Sequence, residues 1–280
     1  SYDLAYAINP ANSDELWVGG VNTWRTTDGG ANWFLKNIWS QSQSAAVQEV
    51  HADKHFIAFH PLNNALVYEC NDGGIYVTSN GGTNWTNRSN GLGISQIYRI
   101  GVNQQLSNDV MCGLQDNGSK ELYNGTWTEQ TGGDGMECII DYTNGNIMYA
   151  TYVNGLIYKT TDGGTNWTVI AQNNGAAGTA NEAGDWVTPY IMHPTVNTTL
   201  LVGKSQVYKT VNSGTSWSML GFISGISGNI IAMAYAPSNP NTIYVASASQ
   251  VFKSVNGGAN WNLIGTTTNR ITYLAVSPTN

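Results

Sequence analysis

The amino-acid sequence predicts an all-β chain, a β-propeller of four-stranded antiparallel blades. Three observations predict it. A turn-and-tryptophan motif recurs about once per blade length, each copy closes the same run of short strands, and charged residues are only 10% of the chain, displaced by Asn, Thr, Ser and Gly.

The motif is Ser/Thr-x-Asp/Asn-x-Gly-x-x-Trp. It occurs as Thr26-Thr-Asp-Gly-Gly-Ala-Asn-Trp33, Thr78-Ser-Asn-Gly-Gly-Thr-Asn-Trp85, Thr160-Thr-Asp-Gly-Gly-Thr-Asn-Trp167, Thr210-Val-Asn-Ser-Gly-Thr-Ser-Trp217 and Ser254-Val-Asn-Gly-Gly-Ala-Asn-Trp261. Successive tryptophans are separated by 52, 82, 50 and 44 residues, and a degenerate copy, Tyr123-Asn-Gly-Thr-Trp127, divides the long interval into 42 and 40. A period of this size is the signature of a repeat architecture. Asp28, Asn80, Asp162, Asn212 and Asn256 are placed to accept backbone N–H groups just downstream. The glycines supply positive φ for a tight hairpin. Trp33, Trp85, Trp167, Trp217 and Trp261 open the outgoing strand and are expected to pack between neighbouring blades. The Ser/Thr hydroxyl can tie the incoming strand to the same turn.

The strands before each motif read as consecutive antiparallel hairpins. In the sixth repeat they fall at 230–237, 242–247, 251–254 and 261–264. With the strands lettered A to D, the motif is the C–D turn. The A–B turn is a Pro- and Asn-bearing element: Asn9-Pro10, His60-Pro61-Leu-Asn-Asn64, His193-Pro194-Thr-Val-Asn197, Pro237-Ser-Asn-Pro240 and Ser277-Pro278-Thr-Asn280. The chain opens with a complete blade over 2–37 and ends on a lone A strand at 271–276. The expected architecture is therefore six blades plus the first strand of a seventh, in one propeller over 1–280. A seven-bladed ring completed beyond Asn280 is preferred, and a six-bladed ring is the alternative.

Bulk properties exclude several functions. A net charge of −7 with 11 Lys+Arg argues against nucleic acid, which needs clustered cations, and against an anionic membrane surface. No apolar run approaches the roughly 20 residues that span a bilayer, so membrane insertion is not expected. Ser1 opens on a strand-like segment without a leader pattern, and the chain is expected to be a mature or excised piece of a longer protein. Cys70, Cys112 and Cys138 are too few for a disulfide scaffold and are expected as buried thiols. A Cys112–Cys138 bridge stays open.

These motifs resemble the BNR/Asp-box superfamily: sialidases, the sortilin-type VPS10 propeller, the tandem-propeller xyloglucanases of glycoside hydrolase family 74 and photosystem assembly factors. The resemblance covers essentially the whole chain and implies fold more than function. A narrower resemblance rests on His51-Ala-Asp-Lys-His55, Asn71-Asp-Gly-Gly-Ile-Tyr76, Gly113-Leu-Gln-Asp-Asn-Gly118 and Gly133-Asp-Gly-Met-Glu137. These are similar to secreted propellers abundant in Bacteroidetes, which commonly sit in large cell-surface proteins exported by the type IX system. That resemblance implies an extracellular or cell-surface location.

Topology then locates a site. If the motif turns and A–B turns share one side of each blade, the D–A and B–C connections share the other. The narrower motifs fall on that second side: His51, Asp53, His55 and Asp72 in blade two; Tyr98, Arg99, Gln115, Asp116 and Asn117 in blade three; Asp134 and Glu137 in blade four; Asp185, Trp186 and Tyr190 in blade five. Together they predict an acidic, amide-rich and aromatic rim. His51, Asp53 and His55 alternate, so a strand would put all three on one face, where they could hold a divalent or transition metal; the alternative is that they brace the neighbouring loops. No cofactor is otherwise required. Asp72, Asp116, Asp134 and Glu137 are the candidate carboxylates for general acid–base work on a glycosidic bond, against the simpler reading that Asp72 and Asp116 cap their own turns. A sialidase needs an arginine cluster on the sugar carboxylate, and Arg25, Arg88, Arg99 and Arg270 are scattered. The leading expectation is a non-catalytic module binding glycan or protein through Tyr98, Arg99, Gln115, Asp116, Asn117, Asp134, Asp185, Trp186 and Tyr190. Tyr190 and Trp186 would stack on sugar rings, and the segment 175–184 would form a flap. The alternatives are a family 74-like glycoside hydrolase and a purely structural propeller packed among neighbouring domains of the same protein.

Overall fold

The computed structural model describes residues 3–44 and 46–277. The chain divides into two compact units, Ser1–Ile94 and Ser95–Asn280. Both are built from one element, a four-stranded antiparallel sheet with its strands hydrogen-bonded in chain order. The first unit holds two: β1 (Ala5–Asn9), β2 (Asn12–Gly19), β3 (Thr23–Thr26) and β4 (Phe34–Asn37), then β5 (Lys54–His60), β6 (Asn63–Asn71), β7 (Gly74–Thr78) and β8 (Thr86–Asn87). The second holds four. Blade three comprises β9 (Ile97–Val102), β10 (Asp109–Leu114), β11 (Gly118–Tyr123) and β12 (Thr126–Thr131). Blade four comprises β13 (Cys138–Ile140), β14 (Met148–Tyr152), β15 (Leu156–Thr160) and β16 (Thr168–Ala171). Blade five comprises β17 (Tyr190–Met192), β18 (Leu200–Gly203), β19 (Val207–Thr210) and β20 (Ser218–Met219). Blade six comprises β21 (Ala232–Tyr235), β22 (Ile243–Ala246), β23 (Gln250–Ser254) and β24 (Asn262–Thr266). The only helical turn among the described residues is a 3-10 turn at Val153–Gly155, and no helix is long and apolar enough to cross a membrane. The chain is an all-β fold of six β-propeller blades.

The five repeat turns share one hydrogen-bond scheme. The Ser/Thr hydroxyl accepts from the glycine N–H four residues on, at 2.9–3.1 Å. It donates to the Asp/Asn side chain two residues on, at 2.7–3.0 Å. That side chain in turn accepts the N–H four residues beyond itself, at 2.9–3.0 Å. The hydroxyl-bearing residues Thr26, Thr78, Thr160, Thr210 and Ser254 are all buried, so this local network replaces the water their polar atoms give up. Hydrogen bonds from the side chain and backbone of Asn32 hold Asp28 at about 2, and those of Asn166 do the same for Asp162.

Apolar side chains fill the seams between consecutive sheets. In the first unit Trp17, Ile57, Val67 and Trp85 form one cluster. In the second, Met111, Cys138 and Met148 join blades three and four; Tyr149, Ile157, Tyr190 and Leu200 join four and five; and Leu201, Ile230, Val245 and Phe252 join five and six. The motif tryptophans serve this packing unequally. Trp85 is buried, meets Trp17 edge-on at 6.0 Å and donates to Lys36 O, and Trp217 donates to Ile170 O. Trp33 stays 39% exposed and Trp127 of the degenerate copy 56%. The seam between blades three and four is close backbone packing: a Cβ on Gly113 would lie 1.9 Å from Met136 O.

Two expectations change. Residues 271–277 form no strand, with Ile271 N donating to Ala248 O, so the lone first strand of a seventh blade is not formed among the described residues. Tyr2 and the A–B element completed by Pro278 and Asn280 lie outside the described residues. All three cysteines are free thiols, which excludes the Cys112–Cys138 bridge; Cys112 and Cys138 are buried and Cys70 is half-buried.

Candidate functional site

Antiparallel pairing in chain order places the B–C turns and the segments entering each A strand on one side of every blade, opposite the repeat turns. In the first unit, that side carries His51, Asp53, His55 and Asp72. The strand expected to align the first three begins only at Lys54. Asp53 has φ 62°, a left-handed conformation that breaks the alternation. The one-face metal triad of His51, Asp53 and His55 is therefore corrected. His51 Nδ1 lies 3.3 Å from Ala52 O, while His55 Nε2 meets Asp72 Oδ1 at 2.5 Å. The Asp53 and Asp72 carboxylates approach within 4.8 Å. Burial and then the charges of Asp3 and Asp72 raise the pKa of Asp53, with His51 and His55 opposing. The Asp72 turn is capped by Asn71, whose Oδ1 accepts Gly73 N.

Beneath these residues lies a group that sequence reasoning missed. Lys54 is fully buried and donates to Val50 O, His51 O and Glu69 Oε1 (3.1 Å). Glu69, also fully buried, takes Asn71 Nδ2 on the same oxygen and Thr23 Oγ1 and Asn37 Nδ2 on the other. One ion pair thus fixes the entry to β5 against β3, β4 and β6.

The second unit collects most of the rim. Tyr98 and Arg99 lie in β9, and Gln115, Asp116 and Asn117 form the β10–β11 turn. Asp116 has φ 58°, and its N–H donates to Asp134 Oδ1 at 3.0 Å, so Asp134 holds the neighbouring turn. Asn117 Nδ2 donates to Gln115 O. Arg99 Nη1 donates to Tyr98 O at 2.8 Å, and its Nε lies 3.4 Å from Glu137 Oε2. The Glu137 side chain is four-fifths buried. That burial pushes its pKa up to about 7, with the Arg99 guanidinium pulling the other way. The cleft beside Arg99 and Glu137 measures about 60 Å³.

Side chains distant in sequence meet on this side of the second unit. Trp186, 48% exposed, donates from Nε1 to Tyr98 OH at 3.3 Å, and Tyr98 OH donates to Gln115 Oε1 at 3.1 Å. Asp185 pairs with Arg270 at 2.8 Å; their separation of 85 positions leaves no local signal for it. Tyr190 is corrected as a stacking residue. It opens β17 facing inward, is 1% exposed and packs edge-on against Tyr149 at 5.9 Å.

The segment 175–184 is not a free flap. Ala180 sits in the blade four–five core, and Glu182 accepts Gly178 N, Ser205 N, Ser205 Oγ and Tyr208 OH. Burial alone would raise the pKa of Glu182, but these hydrogen bonds together lower it. Lys204, fully buried, donates to Asn154 O, Gly155 O and Gln172 O beneath the same segment, and burial lowers its pKa to about 8.

No family model matches this chain, and no curated protein matches it. Among solved structures it is similar to a GH74 enzyme of Niastella koreensis at 17% identity and a TM-score of 0.35, covering 99% of this chain and 52% of that one. It is similar to the GH74 xyloglucanase from Xanthomonas campestris at 14% identity and 0.37, covering 92% and 51%. It is also similar to the extracellular domain of a putative one-component system from B. thetaiotaomicron at 15% identity and 0.47, covering 99% and 38%. The chain spans about half the length of the two GH74 proteins. Likeness at this level does not transfer an activity.

Proposed function

We propose that this chain is a non-catalytic recognition module, extracellular or at the cell surface, that binds glycan through the rim of blades three to five. The observation that carries the reading is the half-exposed Trp186 indole, fixed through Tyr98 OH to the Gln115 amide. A rigid aromatic surface beside amide and charged groups offers a sugar ring an apolar platform and hydrogen-bonding edges, at little cost in side-chain entropy. The Asp185–Arg270 pair and the Asn117 amide supply polar groups around it.

The rim carboxylates fit this reading better than hydrolysis. Asp134 Oδ1 is engaged by the Asp116 N–H, and Arg99 flanks Glu137. The cleft beside Glu137, about 60 Å³, is far below the roughly 300–1,000 Å³ of small-molecule pockets. One observation favours the hydrolase alternative: a carboxyl held at about 7 suits a general acid.

A glycan array probed with the wild-type chain and with Trp186→Ala separates these readings from a purely structural role. Recognition predicts array hits that Trp186→Ala loses. Absence of any hit removes the glycan reading. Release of reducing sugar by the wild type but not by Glu137→Gln would replace recognition with catalysis.

A further inference from the structure

Blade three departs from the other repeats on the side of the repeat turns, away from the rim. Four third strands slip register against their fourth strands, between Thr23 and Trp24, Ser119 and Lys120, Ile157 and Tyr158, and Val251 and Phe252. The next residue along is Arg25 in blade one, Lys159 in blade four and Lys253 in blade six. In blade three it is Glu121. Register with the second strand gives the same alignment, Trp17 facing Arg25 and Met111 facing Glu121.

The partner position two residues earlier on the second strand completes the contrast. In blade one it is Glu15, which Arg25 Nε reaches at 2.8 Å. In blade three it is Asp109. Where blade one sets a guanidinium against a carboxylate, blade three sets carboxylate against carboxylate, with Asp109 4% and Glu121 8% exposed. Two amides satisfy one oxygen of each: Asn103 Nδ2 donates to Asp109 Oδ2 and Gln130 Nε2 to Glu121 Oε2, both at 2.6 Å. Asp109 Oδ1 is buried and meets no amide or hydroxyl donor among the described residues; the carboxyl within hydrogen-bonding reach of Asp109 is that of Glu121. Both acids line a cleft of about 360 Å³ together with Gln105, Tyr123, Asn144 and Asn146.

We propose that a hard divalent cation of the calcium type binds in this cleft between Asp109 and Glu121, taking the electrostatic place that Arg25 fills in blade one. Asp109 Oδ1 and Glu121 Oε1, the oxygens not taken by the two amides, are its first ligands. Side-chain amide oxygens around the cleft and water complete the six to eight oxygens such an ion requires. Without a cation, burial and the neighbouring Asp109 push Glu121 up to about 7, because two adjacent buried carboxylates cannot both ionise cheaply.

The test uses the intact chain, stripped with chelator and titrated with calcium chloride. A ligand that binds only the folded state raises its melting temperature. At a hundredfold excess over Kd the expected rise is about 5–10 °C. Glu121→Lys, which installs a basic residue like those of blades one, four and six, should abolish the calcium response while its chelated form melts no lower than chelated wild type. If Glu121→Lys fails to fold, Glu121→Gln serves in its place and should weaken calcium binding at least tenfold by calorimetry. A wild type indifferent to calcium, or equal responses in wild type and variant, overturns the proposal. A melting temperature that ignores calcium but falls as pH rises toward 7, about twice as steeply in wild type as in Glu121→Gln, where Glu137 alone still titrates, assigns the pair a shared proton and also overturns it.

Discussion

Replacing Glu137 by Gln probes the rim electrostatics directly. The Glu137 carboxyl ionises at about 7 in the fold against 4.5 for an ordinary glutamate. A carboxyl raised in the folded state binds more protons there than in the unfolded chain throughout that interval, so stability is lost as pH rises from 4.5 to 7. The 2.5-unit difference, at 1.36 kcal/mol per unit, corresponds to about 3 kcal/mol, and the accessible fifth of the side chain brings this to about 2–3 kcal/mol. Glutamine keeps the shape and cannot ionise. Glu121, also raised to about 7, contributes in the same direction. Urea unfolding at pH 5, 6, 7 and 8 should therefore show a steep decline in the wild type and about half that decline in Glu137→Gln. The variant should be more stable than wild type at pH 8 by about 2 kcal/mol. Identical pH slopes in the two proteins would refute the assignment of a proton to Glu137.

Other consequences follow from the packing. Lys54→Met strands the buried Glu69 carboxylate, and urea unfolding should show a loss of about 3–5 kcal/mol. Thr160→Val keeps the volume but removes the hydroxyl that binds Gly164 N and Asp162, and calorimetric melting should register a loss of about 1–3 kcal/mol, with Thr160→Ser close to wild type. The Cys138 thiol is buried, and desolvation raises its pKa steeply. Thiol labelling of the native chain should reach Cys70 first and Cys138 only on unfolding; native-state labelling of Cys138 at the rate of Cys70 would contradict the packing of blades three and four.

The blades were legible because their determinants are local. Each repeat turn closes through hydrogen bonds spanning two to four residues, so the Ser/Thr, Asp/Asn and Gly positions carry their own geometry. The same locality made the polarity of each blade readable, and the rim motifs lie opposite the repeat turns. What failed depended on exact strand ends or distant contacts. The alternation of His51, Asp53 and His55 promised one face, but Asp53 turns left-handed one residue before β5. Tyr190 looked like a rim aromatic because pattern alone cannot tell the two faces of a three-residue strand apart, and Tyr149 claims its ring. Trp186 with Tyr98 and Asp185 with Arg270 join residues 88 and 85 apart, beyond the reach of any local pattern. The Asp109–Glu121 pair escaped for another reason: the degenerate third repeat lacks the motif that would have aligned Glu121 with Arg25.

The central claim is that an exposed indole on blade five anchors a glycan on the rim. The direct measurement is calorimetric affinity of an array-identified oligosaccharide for the wild type, Trp186→Ala and Trp186→Phe. An anchoring aromatic contributes about 2 kcal/mol or more, so Trp186→Ala should weaken binding by about 30-fold, with Trp186→Phe retaining most of the affinity. Equal affinity of wild type and Trp186→Ala, with the fold of both intact, would contradict the account.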